Sequence, residues 1–337
     1  MDRIRVGMID CDLHTFYYAA LMSRDYDPIA LRDSPSKHLG QAAFFYHYLH
    51  YNDPRRITAP VVDSFIITRF WDRRRDQAEE ARAVFNRDGR VCDSFAEVCE
   101  DVDLVFIPDC NGDGSDHLEL ARPSLEKGVP TFIDKPLAYE YRDAKALVDL
   151  ARCHGTPMMS LSMLREVPHA ARFRSRFAEL GEPEFGTVKG GGTAMAGHIH
   201  AISLAQHLFG PGVETVSCMG KAELAHVLLE YGGKPGRPKS GVVLNCDVGG
   251  TYHCSFYASA YSSLGAIHSP QIGDFEFPEG AAAVLRKIEA MVRTRQPQAP
   301  YEEMLECIAI ATAGRLAQKE GRAVGLGEVT GSGGYLG

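Results

Sequence analysis

The chain has 337 residues, 45% hydrophobic and 24% charged, with a formal net charge of −8. This is ordinary globular composition, long enough for two domains. The negative balance excludes a polyanion-binding face, so no nucleic-acid partner is expected. No apolar run reaches the roughly 20 residues of a membrane span, so no membrane partner is expected either. Nine cysteines without a C-x-x-C pair point to reduced thiols rather than a thiolate zinc site. The opening Met1-Asp-Arg-Ile-Arg-Val leads into a strand instead of a signal peptide, and a cytoplasmic setting is expected.

Residues 5–9 read as a short apolar strand, followed by a helix over 13–22. Residues 25–60 break the strand–helix rhythm and contain Phe44-Phe-Tyr-His-Tyr-Leu-His-Tyr51. An insertion this long is either a lid over a site or a hydrophobic plug on the domain's own flank. The rhythm resumes with a strand over 64–70, a helix over 75–85, a helical step over 95–99 and a strand over 104–107. A helix over 115–127 then closes at Gly128, and a strand over 131–133 follows. A helix over 141–154, closed by Gly155, leads to a strand over 157–161. This alternation predicts an α/β fold, a Rossmann-like doubly wound parallel sheet over residues 1–160.

The second half, residues 161–329, changes character. Strand-like runs at 186–193, 214–221, 225–231, 241–248 and 252–261 are joined mostly by glycine-rich turns, which predicts an open, mainly antiparallel sheet. A helix over 199–209 interrupts it, and helices over 280–293 and 301–319 end the unit. Residues 330–337, Thr-Gly-Ser-Gly-Gly-Tyr-Leu-Gly, are expected to be a disordered tail.

The chemistry-bearing residues concentrate at the carboxyl ends of the parallel strands, where open α/β sheets bind ligands. The run Val129-Pro-Thr-Phe-Ile-Asp-Lys-Pro-Leu-Ala138 delivers Lys135 there. Lysine is seldom buried unless paired or working. After the first strand a dinucleotide fold carries G-x-G-x-x-G, whereas this chain has Asp10-Cys-Asp-Leu-His-Thr15. A carboxylate about 4 Å from a phosphate charge costs roughly 4 kcal/mol at an effective dielectric near 20. Three readings of this turn stand. Asp12 is the N-cap of the helix; or Asp10, Asp12 and His14 ligate a metal; or the carboxylates hydrogen-bond a polyol or a ribose.

Asp72 ends the second strand, where dinucleotide folds place the acid that accepts from the adenosine ribose; Arg73 and its neighbours could instead meet a 2′-phosphate. The loop from Asp109 to His117 is polar and on the ligand side; Asp116 and His117 either serve the site or cap the next helix and compensate its dipole. In Gly197-His-Ile-His-Ala-Ile-Ser-Leu-Ala-Gln-His207, His200, Ser203 and His207 share a helical face. A histidine at the front of that helix can move a proton near neutral pH. Arg165 leaves the sixth strand toward the same crevice, either to bind a substrate or to pair with an acid.

Together these strings resemble the glucose–fructose oxidoreductase/inositol dehydrogenase/MocA family. Asp134-Lys-Pro-Leu-Ala138 resembles its E-K-P-L-A signature, with His117, Ala121, Leu125 and Gly128 at the family's spacing before it. His200 to Gly210 resembles its histidine helix, and Arg165 with Pro168 its R-x-x-P. The resemblance implies NAD or NADP as cofactor, a sugar-like or cyclitol-like substrate and a homodimer or homotetramer. It makes Lys135 and His200 the proton-transfer residues. Asp10, Asp12, His14, Asp72, Arg73, Asp109 and Lys135 are expected to face the cofactor, and Arg165, His117 and His207 the substrate. The chain departs from the family at Ala196, where an aspartate is usual, and at His198, which could replace that missing partner. Two alternatives stand beside an oxidoreductase: a redox-neutral lyase, isomerase or hydrolase, assisted by a metal on Asp10, Asp12 and His14, and a non-catalytic ligand sensor.

Overall fold

The computed structural model describes residues 2–36, 60–110, 112–192, 194–248, 255–273 and 276–331. The aromatic run at 44–51 and tail residues 332–337 lie outside the described residues. Strands β1 (Ile4–Ile9), β2 (Phe65–Trp71), β3 (Arg90–Val91), β4 (Leu104–Ile107), β5 (Thr131–Ile133) and β6 (Met158–Met159) form one sheet in the order β3-β2-β1-β4-β5-β6. Every pairing in it is parallel. The order in which strands are added reverses between β1 and β4, which creates the crevice where such sheets bind ligands.

The strands are short apolar runs because both faces are covered. All four residues of β4 and all three of β5 are buried. The covering helices are α1 (Leu13–Met22), α2 (Pro28–Arg32), α3 (Arg75–Phe85), α4 (His117–Glu126) and α5 (Tyr141–His154). Gly155 ends α5 in the left-handed conformation (φ 62°) that closes helices, as its position in the sequence predicts.

After a 3-10 turn at Met163–Glu166, α6 (Pro168–Ser175) leads to the second sheet. Its strands are β7 (Phe185–Lys189), β8 (Thr215–Met219), β9 (His226–Glu230), β10 (Val242–Asn245), β11 (Ser255–Ser262), β12 (Gly265–His268), β13 (Ile272–Gly273) and β14 (Val324–Gly325). The order is β12-β11-β7-β10-β9-β8-β14, with β13 on β11, and only the β7–β10 pairing is parallel. The sheet is therefore mainly antiparallel, as expected.

Helix α7 (Ala194–Phe209) covers this sheet, and α8 (Phe277–Thr294), α9 (Tyr301–Glu320) and α10 (Leu326–Thr330) complete the chain. Helix α7 begins five residues earlier than the hydrophobic pattern predicts, so His200 lies in its second turn rather than at its front. Its first turn runs along a glycine backbone: a Cβ on Gly197 would stand 2.7 Å from the Gly192 Cα. Among the described residues no helix is long and apolar enough to cross a membrane.

Helix α9 joins the two sheets. Its Arg315 stacks over the Tyr139 ring and donates to the Tyr139 carbonyl (2.5 Å) ahead of α5. Glu306, 5% exposed, accepts from Gly212 N (2.5 Å), Val213 N (2.8 Å) and Gln206 Nε2 (2.5 Å). Removing this carboxylate takes the acceptor from the Gly212 and Val213 N–H groups, while Gln206 Nε2 keeps its bond to Glu303 O (3.1 Å). Glu306→Ala is therefore expected to destabilise the chain by about 3 kcal/mol in urea unfolding, and a loss below about 1 kcal/mol would contradict this role.

Candidate functional site

Lys135 stands at the carboxyl end of β5 and is 4% exposed. Strand β5 delivers it there because Asp134 N still donates to Ile107 O (2.8 Å), and Asp134 Oδ1 then accepts the Lys135 N–H (2.8 Å). Its Nζ donates to Cys110 O (2.8 Å), after β4, and to Ala196 O (3.1 Å), in the first turn of α7. One side chain thus ties two parallel strands to the histidine helix. Ala196 is one turn before His200, so Lys135 and the His200 ring belong to the same end of α7. The His200 Nδ1 lies 2.7 Å from Ser162 Oγ, and Leu164 N donates to that same Oγ (3.3 Å). A cavity of about 30 Å³, room for about one water, is lined here by Lys135, Ser162, Arg165, Ser203 and Glu303.

The first turn is built differently from a glycine cradle. Asp10 adopts φ 69°, the left-handed conformation that a glycine takes without strain. The Asp12 side chain caps α1: one oxygen accepts from His14 N (2.7 Å), the other from Cys110 N (2.5 Å). Those N–H groups are the kind that hold a phosphate at a helix start. Asp72 accepts from Cys11 N and Arg74 N, both at 2.7 Å, and so locks the end of β2 to this turn. Burial pushes the Asp10 carboxyl up to about 7, helped by the negative charges of Asp72, Asp116, Asp12 and Asp109. Burial likewise pushes Asp12 up to about 6, against the opposing pull of His14 and the Cys110 N–H. His14 Nδ1 pairs with the buried Asp134. Burial would lower the His14 pKa, but Cys110 and Asp134 outweigh it and hold it well above the usual value.

For a dinucleotide the fit is uneven. The left-handed turn at Asp10 and the acid at Asp72 suit one. At the pyrophosphate, the fit requires the carboxyls to be protonated or counter-charged.

The other candidates separate. Asp10, Asp12 and His14 do not form a common ligand set, because Asp12 is spent on backbone donors and His14 on Asp134. Arg165 pairs with Glu303 (2.5 Å) and Gln206 (2.8 Å), which is the acid-pairing alternative, yet it still lines the small cavity. His198 is 2% exposed and its Nδ1 contacts Glu223 O (2.6 Å). Two positions from His200, it points to a different helix face, so the geometry gives no support to its replacing the absent aspartate. Burial lowers its pKa. Burial, with Arg165, Arg174 and Lys287 nearby, pushes His207 down to about 3, which favours the uncharged ring at neutral pH.

Asp109 accepts from Gly112 N (2.6 Å) and faces the fully buried His117. Asp116 makes no capping bond to α4 and pairs instead with Arg73 (2.7 Å). Sequence reasoning missed Ser162, Cys110 and the pairing of His14 with Asp134, partners 120 residues apart.

The raised Asp10 pKa has a stability consequence. Between about pH 4 and 7 the folded chain keeps a proton that the unfolded chain releases, so stability falls as pH rises through this window. Asp10→Asn keeps the size and tolerance of a left-handed φ. It is expected to stabilise the chain on the order of 2 kcal/mol at pH 8 and to have little effect near pH 4, both read by urea unfolding. A pH-independent effect would contradict the assignment.

Residues 39–161 match the oxidoreductase family model described as an NAD-binding Rossmann fold (GFO_IDH_MocA). The match starts after the acidic first turn. No curated protein sequence matches the chain. Solved structures match its fold along almost its whole length. Apo scyllo-inositol dehydrogenase from Lactobacillus casei is 12% identical, with a TM-score of 0.71 over 96% of this chain and 98% of that one. A myo-inositol dehydrogenase from Corynebacterium glutamicum is 15% identical, with a TM-score of 0.66 over 96% and 99%. An oxidoreductase from Agrobacterium radiobacter, in complex with NAD+, L-tartaric acid and magnesium, is 15% identical, with a TM-score of 0.67 over 97% and 99%. The resemblance read from the sequence is thus borne out as a similarity: residues 39–161 match the model of the glucose–fructose oxidoreductase/inositol dehydrogenase/MocA oxidoreductase family, and the solved structures share the fold of the chain.

Proposed function

We propose that the protein is an NAD-dependent oxidoreductase acting on a hydroxyl-bearing carbon of a sugar-like or cyclitol-like substrate. The observation that carries this reading is the Lys135 ammonium, held in the strand-end crevice by Cys110 O and Ala196 O, one helical turn from His200. An ammonium has three N–H donors, and two are anchored. The third is left for the oxygen of the reacting C–O group. Bound NAD would supply the hydride acceptor or donor. Lys135 Nζ polarises the substrate oxygen, and His200 exchanges the proton. Ser162 Oγ already accepts from Leu164 N, and its hydroxyl hydrogen then serves His200 Nδ1. This assignment leaves the proton on Nε2, where it can be donated.

NAD is favoured over NADP by the arginines after β2. Arg73, Arg74 and Arg75 pair with Asp116 (2.7 Å), Asp76 (2.9 Å) and Asp93 (2.7 Å). A 2′-phosphate would have to displace these acids and meet the Asp72 carboxylate, whereas ribose hydroxyls can donate to it. The inositol dehydrogenases of the same fold support the substrate class. The free thiols of the described cysteines support a cytoplasmic setting. The exposed Met219, Tyr257 and Leu264 on the second sheet and its hairpin support a homo-oligomer through that sheet.

Lys135→Met is expected to lower kcat by at least about a thousandfold in hydride transfer with cyclitols, while NAD affinity by calorimetry changes only a few-fold. Retained turnover in this variant would overturn the assignment. Ser162→Ala should lower kcat and shift the acid limb of the pH–rate profile, because His200 loses the group that fixes its tautomer.

A further inference from the structure

We propose that Asp109, Asp116 and His117 form a binding site for a divalent first-row cation such as Mn2+ or Zn2+, on the loop between β4 and α4. One ligand atom from each lies within 4.8 Å of the other two. His117 is fully buried, and its Nδ1 lies 3.2 Å from the Leu137 carbonyl. A carbonyl only accepts, so Nδ1 carries the hydrogen. Burial opposes protonation of Nε2 and Asp109 favours it, raising the pKa overall; in the neutral ring Nε2 presents a bare lone pair. That Nε2 has no hydrogen-bond partner. The atom it faces is Asp109 Oδ2 at 3.2 Å, close enough to sense its charge but off the line of a hydrogen bond.

A lone pair aimed at a carboxylate oxygen needs a positive species between them, a proton or a metal ion; the off-line geometry favours the metal. Two ligand atoms each about 2.1 Å from a metal stand roughly 3.0–3.4 Å apart in octahedral or tetrahedral geometry, which is the separation found. The Nδ1–H bond to a backbone carbonyl is the usual outer-shell support of a metal-bound imidazole. Gly112 makes room for Asp109: a Cβ there would stand 1.8 Å from its Oδ2. Arg73 holds Asp116 by Oδ2, and the half-exposed Asp116 side chain is the one able to close on an ion. One imidazole and two carboxylates suit Mn2+, Fe2+ or Zn2+ and leave positions open for water or an anionic oxygen. The site also has an electrostatic reason. Asp109 and Asp116 both repel the Asp10 carboxylate of the first turn, and a cation here would offset acids that stand where other dinucleotide folds have glycine.

The test is metal content and affinity in the full chain. Protein treated with a chelator and dialysed is titrated by calorimetry with MnCl2 and, separately, ZnCl2, and its bound metal is counted by elemental analysis. The expected result is about one ion per chain for at least one metal, with affinity reduced at least roughly tenfold in Asp109→Asn and in Asp116→Asn. Asp116 is half exposed, so its variant tests the site without risk to the core, and circular dichroism confirms folding of both. Absence of binding in the wild-type chain would overturn the proposal and leave a protonated His117 paired with Asp109. Binding that is unchanged in both variants would overturn it equally. Neither result depends on catalysis or on the nicotinamide cofactor.

Discussion

A buried ammonium must find oxygens, and in this chain the oxygens come from both halves of the molecule. Lys135 is 4% exposed and spans from Cys110 O at the end of β4 to Ala196 O in α7. An unpaired charge in that position would be strongly unfavourable. The position of α7 relative to the parallel sheet is therefore coupled to one side chain. The same contact sets how close the His200 end of α7 stands to the strand ends, so architecture and candidate chemistry depend on a shared interaction. Helix α9 adds contacts to both halves through Arg315 and Glu306.

Around that lysine the chain has exchanged glycine for charge. The first turn keeps the backbone shape of a nucleotide fold, with Asp10 in the left-handed region, but lines it with carboxyls. Those acids are not independent. Asp12 caps α1 and reaches the β4 loop, Asp72 locks β2 to the turn, and Asp134 takes His14. Aspartate replaces the usual glutamate in the Lys-Pro motif in the same chain that places His14 beside it. The two departures are one arrangement, a buried carboxylate answered by a buried imidazole. Any anion entering this crevice meets charges that must be balanced by protons or by a cation.

Much of the fold was legible because it is written in local patterns. The bounds of α1, α3, β4, β5 and α5 and the end of α4 follow from short apolar runs and from helix stops at Gly128 and Gly155. Strands β12, β13 and β14 are short edge or flanking pieces without alternation, and their sequence does not distinguish them from turns. The early start of α7 was hidden because Gly190-Gly-Gly-Thr-Ala-Met-Ala-Gly197 has loop composition; burial of Met195 and Ala196 overrides it. At the site, Lys135 and His200 were visible as residue types in motifs. The partners that define their surroundings were not, since Ser162 meets His200 across 38 residues and His14 meets Asp134 across 120. Asp116 looked like a helix cap and is an ion-pair partner of Arg73, a choice decided by tertiary proximity alone.

The central claim is that an acid-lined turn on this Rossmann sheet still accepts a nicotinamide dinucleotide. Calorimetry of the purified chain with NAD and NADH at pH 6 and pH 8, in two buffers of different ionisation enthalpy, tests it most directly. The account predicts binding that is tighter at pH 6 and accompanied by proton uptake, because Asp10 and Asp12 must be neutralised beside the pyrophosphate. Absence of binding at both pH values would contradict it.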